Sequence, residues 1–212
     1  MSDAERLRDE LLRHQYIYVP WAQEKPIYKA GAGLAQLIAS HHRARLTIAS
    51  PTKSTIPDDM ARLPYVTDRV GAVPDGGVVL AYLPSEKTME KISQLASSIV
   101  VLVEAPTEDH SGWARLHGAY NVSTGEVIAA DLDDAAEKLL AAIVFEGYNG
   151  WNDDIAERIT LAKLTTLREA GQYDRALVLA YAREHERAGA LDALTRILDA
   201  FEGKGKLPRR RR

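Results

Sequence analysis

"GVVLAYLPSEKTMEKISQLASSIVVLVE", residues 77–104, decides the fold class. Its ends, "GVVLAYL" and "IVVLVE", are near-continuous runs of apolar, mostly branched residues. A strand built from such a run has no polar side to turn to water. It must be covered on both faces, as the strands of parallel sheets are. Between the runs, Pro84 stops the first strand and Ser85 is placed to cap a helix. Met89, Ile92 and Ala96 share one side of that helix. Strand, helix and strand in one short stretch form the unit from which parallel sheets are assembled.

The alternation continues in both directions. "YIYV" at 16–19 is β-prone and ends at Pro20. A helix follows Pro26 with Leu34, Leu37 and Ile38 on one face, and "RLTIA" at 45–49 is another buried strand. The stretch 56–76, broken by Pro57, Pro64 and Pro74, reads mostly as loop. Downstream, 112–123 is open between helix and loop. "GEVIAAD" is a last strand ending at Asp131, which is also placed to cap a helix over 132–146. Ser2 and Glu5 have capping-box spacing, so a helix is expected to lead the chain. The expectation is a Rossmann-like, three-layer, mostly parallel α/β domain over 1–150.

Composition shifts at "EGYNGWNDD", 146–154, and strand patterns stop there. Helical stripes fit 152–170, 173–187 and 190–202, so 151–203 reads as a C-terminal helical element and 204–212 as a basic tail. Within it, "LREAGQYDRALVLA" resembles the turn of a tetratricopeptide repeat through Gly171, Tyr173 and Ala176. A solenoid stacks several repeats, and this chain shows one, so a plain helix–turn–helix is the simpler reading.

The chain has 212 residues and no cysteine, which excludes disulfides, thiol nucleophiles and thiolate metal sites. The opening "MSDAERLRDELL" is charged and helix-like, and "IVVLV" is far too short to cross a bilayer, so a cytoplasmic protein without membrane contact is expected. Net charge is −3, unevenly spread. Lys204, Lys206 and Arg209, Arg210, Arg211 and Arg212 supply six positive charges; the remainder holds 21 basic against 30 acidic residues, a net of −9. Such a tail suits nucleic-acid phosphates or an acidic protein partner, and also a merely solubilising role.

Three stretches invite a chemical reading. "SPTKST", 50–55, follows a strand as a phosphate loop would, but the glycine positions of that motif hold Thr47 and Thr52. A nucleotide loop of that type is excluded; a polar, lysine-bearing ligand loop or a solvated turn remains. "AGAG", 30–33, stands too far beyond its strand to be a dinucleotide fingerprint, and its glycines suit close packing. "EAPTEDHSGWARLH", 104–117, sets Glu104, Asp109 and His110 at a strand's end before a helix, which suits acid–base work or helix capping. His41 and His42 diverge on a helix and His110 and His117 lack a third ligand, so no metal is expected. No cofactor is indicated.

The segment "SSIVVLVEAPTEDHSGWARLHGAYNVSTGEVIAAD" is similar to the later half of nucleoside deoxyribosyltransferase-like domains. Gly112, Ala114 and Gly118 carry the likeness over some 35 residues. The resemblance implies a Rossmann-like fold. It also places the family's nucleophilic glutamate at position 116, where this chain has Leu116, so glycosyl chemistry would need another carboxylate such as Glu104.

The expected function is binding of a nucleotide or phosphorylated small molecule at the carboxyl edge of the sheet, with hydrolase or glycosyl-transfer chemistry left open. Lys53, Ser54, Ser85 and Asp131 are the candidate ligand residues, and Glu104, Asp109 and His110 the candidate catalytic ones. The rival is a non-catalytic interaction protein docking through its helical end and arginine tail.

Overall fold

The computed structural model describes residues 9–22, 27–185 and 190–205. The capping-box start at Ser2 and the arginines 209–212 lie outside them. The chain divides into two compact units, residues 1–129 and 130–212.

The first unit is α/β. Its seven-stranded sheet has the order β3-β2-β4-β5-β1-β6-β7. The strands are β1 (Tyr16–Val19), β2 (Leu46–Ala49), β3 (Tyr65–Val66), β4 (Val78–Tyr82), β5 (Ile99–Val103), β6 (Ala119–Asn121) and β7 (Glu126–Ile128). Every pairing is parallel except the β6–β7 hairpin. In β4 all five residues are buried, and in β5 all but Ile99. Among the described residues, α1 (Ile27–His42), α2 (Glu86–Ile92) and α3 (Ser111–Leu116) accompany the sheet.

Side chains alternate along each strand. Ile17, Val19, Ile48, Leu80, Val101 and Val103 join Ala32, Ala35, Ile38 and Ala39 of α1 in one core. Tyr16 and Tyr18 point to the other face, where Trp113 of α3 meets Tyr16 edge-on at 5.7 Å between ring centroids. The small residues of α1 let its backbone come close to the sheet. A methyl group built on Gly31 would overlap Val103 Cγ2, whereas one on Gly33 would meet nothing within 4 Å. At the amino edge, Asp75 accepts from the backbone N–H groups of Ala96 and Ser97 and from Ser98 Oγ. The Ser97 N–H and the Ser98 hydroxyl hold its carboxyl below the usual carboxylate range.

Two strands are absent from the sequence reading. β3 is two residues long, inside the stretch read as loop. β6 lies in the ambiguous segment 112–123, where α3 ends and Gly118 takes φ +58 to turn the chain. The helix at 85–96 is also shorter than its apolar spacing suggested: it stops at Ile92 and leaves Ala96 in an exposed turn.

The second unit is helical among the described residues: α4 (Asp134–Glu146), α5 (Asp154–Glu169), α6 (Arg175–His185) and α7 (Leu191–Phe201). The division falls before α4, not at residue 150, because Leu140 and Ile143 of α4 share a core with Trp151, Leu164, Leu167, Val178, Leu194 and Leu198. Asp133, not Asp131, caps α4, accepting from Ala136 N–H at 2.7 Å. Gly171 at φ +71 ends α5: its N–H bonds Arg168 O, and Gln172 N–H bonds Leu167 O. That is the Schellman arrangement, which needs a left-handed residue at this position.

The α1–β5 contact yields a paired test. Gly31→Ala should cost about 1–3 kcal/mol through overpacking, while Gly33→Ala should be neutral or stabilise by up to about 1 kcal/mol through helix propensity. Urea denaturation followed by circular dichroism compares the two midpoints.

Candidate functional site

The parallel strands send the loops after β2, β4 and β5 to one edge of the sheet. The neighbours β2 and β4 then diverge. β2 leads outward to β3, and β4 leads the other way to β5. Between two such departures the loops part and leave a crevice, the usual ligand position in an open α/β sheet.

A cleft of about 810 Å³ opens there, on the α1 side of the sheet. Tyr82, the last residue of β4, contributes to its lining, α1 contributes Lys29 and Gln36, and the loop after β2 contributes Ser54, Thr55, Asp58 and Asp59. Gly33 borders it too, and the space where its side chain would stand is open. The loop is folded on itself by hydroxyls: Thr52 Oγ1 lies 2.9 Å from Ser54 Oγ and 2.8 Å from Thr55 Oγ1. Lys53 projects from the same turn, exposed, with Nζ 5.5 Å from the centre of the Tyr65 ring.

The remaining candidates do not join this cleft. Ser85 caps α2 by accepting from Thr88 N–H, and its hydroxyl donates to both oxygens of Asp68, at 2.9 and 2.8 Å. Thr88 Oγ1 also donates to Asp68, and Lys91 Nζ donates to the carbonyls of Thr67 and Gly71. Those bonds strap the segment 67–71 to α2. Asp68 and Lys91 were not anticipated; a Ser-x-x-Thr cap is visible in the sequence, but its acid partner lies 17 residues upstream of Ser85.

Glu104 follows Val103, so alternation turns it to the face of Tyr18, opposite α1. Its carboxylate is buried and accepts three hydrogen bonds, from Tyr18 Oη at 2.6 Å, Trp21 N at 3.0 Å and His110 N at 2.9 Å. Burial first, then the bond to Glu104, pushes the Tyr18 phenol far above the ordinary tyrosine range. The His110 ring is buried, with Nε2 2.9 Å from Pro84 O. Asp109 is exposed and accepts from the N–H and hydroxyl of Ser111, fixing the first turn of α3. These three residues tie the ends of β1, β4 and β5 to the start of α3. Leu116, at the position where the transferase-like pattern has its glutamate, is the last residue of that helix.

Asp131 follows β7, which runs antiparallel to the rest, so the chain leaves the sheet from the edge opposite the cleft. Asp131 itself belongs to the helical unit. Among the described residues, no three metal-ligating side chains gather in one place and no helix is long and apolar enough to cross a membrane. Comparison with family models, with curated proteins and with solved structures finds no match for this chain.

Glu104→Ala removes the acceptor for two buried donors and one part-buried donor and should cost roughly 3 kcal/mol or more, read from the shift in denaturation midpoint. The raised Tyr18 pKa carries a pH signature. A group whose pKa is raised by folding contributes its full stability below the unfolded value and loses it as pH climbs towards the folded one. Stability should thus fall above about pH 10, where unfolded tyrosine ionises, and Tyr18→Phe should flatten that fall in urea titrations across the same range.

Proposed function

We propose that the first unit is a Rossmann-like, three-layer domain that binds a nucleotide or another phosphorylated small molecule in the cleft between α1 and the loop 52–59. The observation that carries this reading is the cleft itself: a concavity of ligand size at a topological switch point, with polar side chains in its lining. Lys29 supplies positive charge from the first half of α1. Ser54, Thr55 and Gln36 supply donors and acceptors for ester or phosphoryl oxygens. Asp58 and Asp59 suit the hydroxyls or amino groups of a sugar or base. Lys53 stands on the same loop and could swing from Tyr65 towards bound phosphate.

The reading is one of binding. The acids first considered for catalysis, Glu104 and Asp109, hold the fold on the far side of β5, and no reaction is assigned.

A thermal-shift panel of nucleotides, sugar phosphates and inorganic phosphate, run on the full chain, tests the proposal. At least one phosphorylated compound should raise the melting temperature, and Lys29→Ala should weaken its binding about tenfold, as expected for a lost charge-assisted contact. The reading fails if no member of the panel binds, or if the binding is indifferent to Lys29→Ala and Ser54→Ala.

A further inference from the structure

The helical unit carries a second concavity, about 520 Å³, at the corner between α4 and α5. Phe145, Tyr148 and Ile155 line it while 76%, 86% and 61% exposed. These are large apolar side chains held in water next to one another, which marks an interaction surface. The corner is built rigidly. Trp151, buried and at φ +51, lies so close over Gly147 that a methyl there would overlap its ring, and its Nε1 donates to Ile143 O at 3.1 Å. Gly150 turns the chain at φ +78. Phe145 and Tyr148 are thus presented from a fixed frame.

The same cavity is lined by Glu146 and Asp153. Lys163 approaches Glu146 only to 3.9 Å, the outer limit of an ion pair. Aromatic faces beside carboxylates are the surroundings a guanidinium prefers, stacking on the ring and bonding the acid. The densest guanidinium source in the chain is its own run Arg209–Arg212, set against a remainder of net charge −7.

Geometry decides which copy supplies that run. The C-terminal end of α7 sits beside the C-terminal end of α5, where Arg168 Nη2 donates to Phe201 O and the guanidinium lies 3.6 Å above the Phe201 ring. The cavity is at the opposite end of α5, at Ile155 and Ala156. Thirteen residues of helix separate Ile155 from Arg168, roughly 20 Å. Fully extended from Gly205, Arg209 reaches at most about 14 Å and Arg212 about 25 Å. The run could span that distance only with the tail drawn taut along α5, which costs backbone entropy, whereas it meets no such limit on a neighbour.

We propose that this cavity receives the arginine run 209–212 of a second copy of the chain. Since donor and receptor are different surfaces, the contact is heterologous, and copies join head to tail. The association is electrostatic in part and weakens with salt.

Sedimentation velocity on the full chain tests this. The average mass should rise with protein concentration at about 50 mM salt and return to that of the monomer at about 500 mM. Phe145→Ala with Tyr148→Ala, exposed positions that leave the fold intact by circular dichroism, should abolish the rise. Replacing Arg209, Arg210, Arg211 and Arg212 by glutamine should abolish it too. An equimolar mixture of the two variants should form a heterodimer and nothing larger, since one brings only a tail and the other only a cavity. A chain monomeric at every concentration, or assembly that survives either variant, overturns the proposal. So does a tail variant that loses binding to nucleic acid while self-association stays unchanged.

Discussion

β4 and β5 lie side by side in the middle of the sheet with apolar side chains on both faces, and neither face can be left to water. Each fully buried valine or leucine contributes roughly 1.5–3 kcal/mol, so covering these two strands is the largest demand the first unit makes of its sequence. α1 meets it on one face largely with small residues, Gly31, Ala32, Ala35 and Ala39, together with Ile38. Gly31 brings the helix down onto Val103. Two residues on, Gly33 is turned outward and leaves space beside the loop after β2. Close packing and the cleft are thus two sides of one helix.

The polar groups along the carboxyl edge divide by what they already hold. Glu104 accepts three hydrogen bonds, and Asp68 collects two hydroxyls. Such carboxylates are structural ties: a ligand would have to displace bonds the fold needs. Asp58 and Asp59 sit on a short, exposed turn at the cleft. The distinction matters because all of these residues look alike in a sequence: acids following a strand.

Much of the fold was legible because it rests on patterns of period. The runs 77–83 and 99–104 could only be covered strands, Ser85 capped its helix as expected, and the helical stripes after 151 correspond to α5, α6 and α7. Strands of two and three residues carry no period, so β3 and β6 escaped notice. A signal for β6 did exist: Asn121 through Gly125, with Gly125 at φ +74 and its N–H on Asn121 O, is a hairpin turn that implies a partner strand before Glu126. Without that turn, "GEVIAAD" reads as one more strand of the parallel set, whereas β7 runs antiparallel to β6. The site was less legible. Lys53 and Ser54 sit on the loop beside the cleft, but Lys29, Gln36, Asp58 and Asp59 join it only through the sheet order, which no local pattern encodes.

The most direct measurement is hydrogen–deuterium exchange of the full chain, with and without the phosphorylated compound that binds best. Protection confined to the first half of α1 and to residues 52–59 is the result this account predicts. Protection centred instead on 104–117 or on the helical unit, with α1 and that loop unchanged, would contradict it.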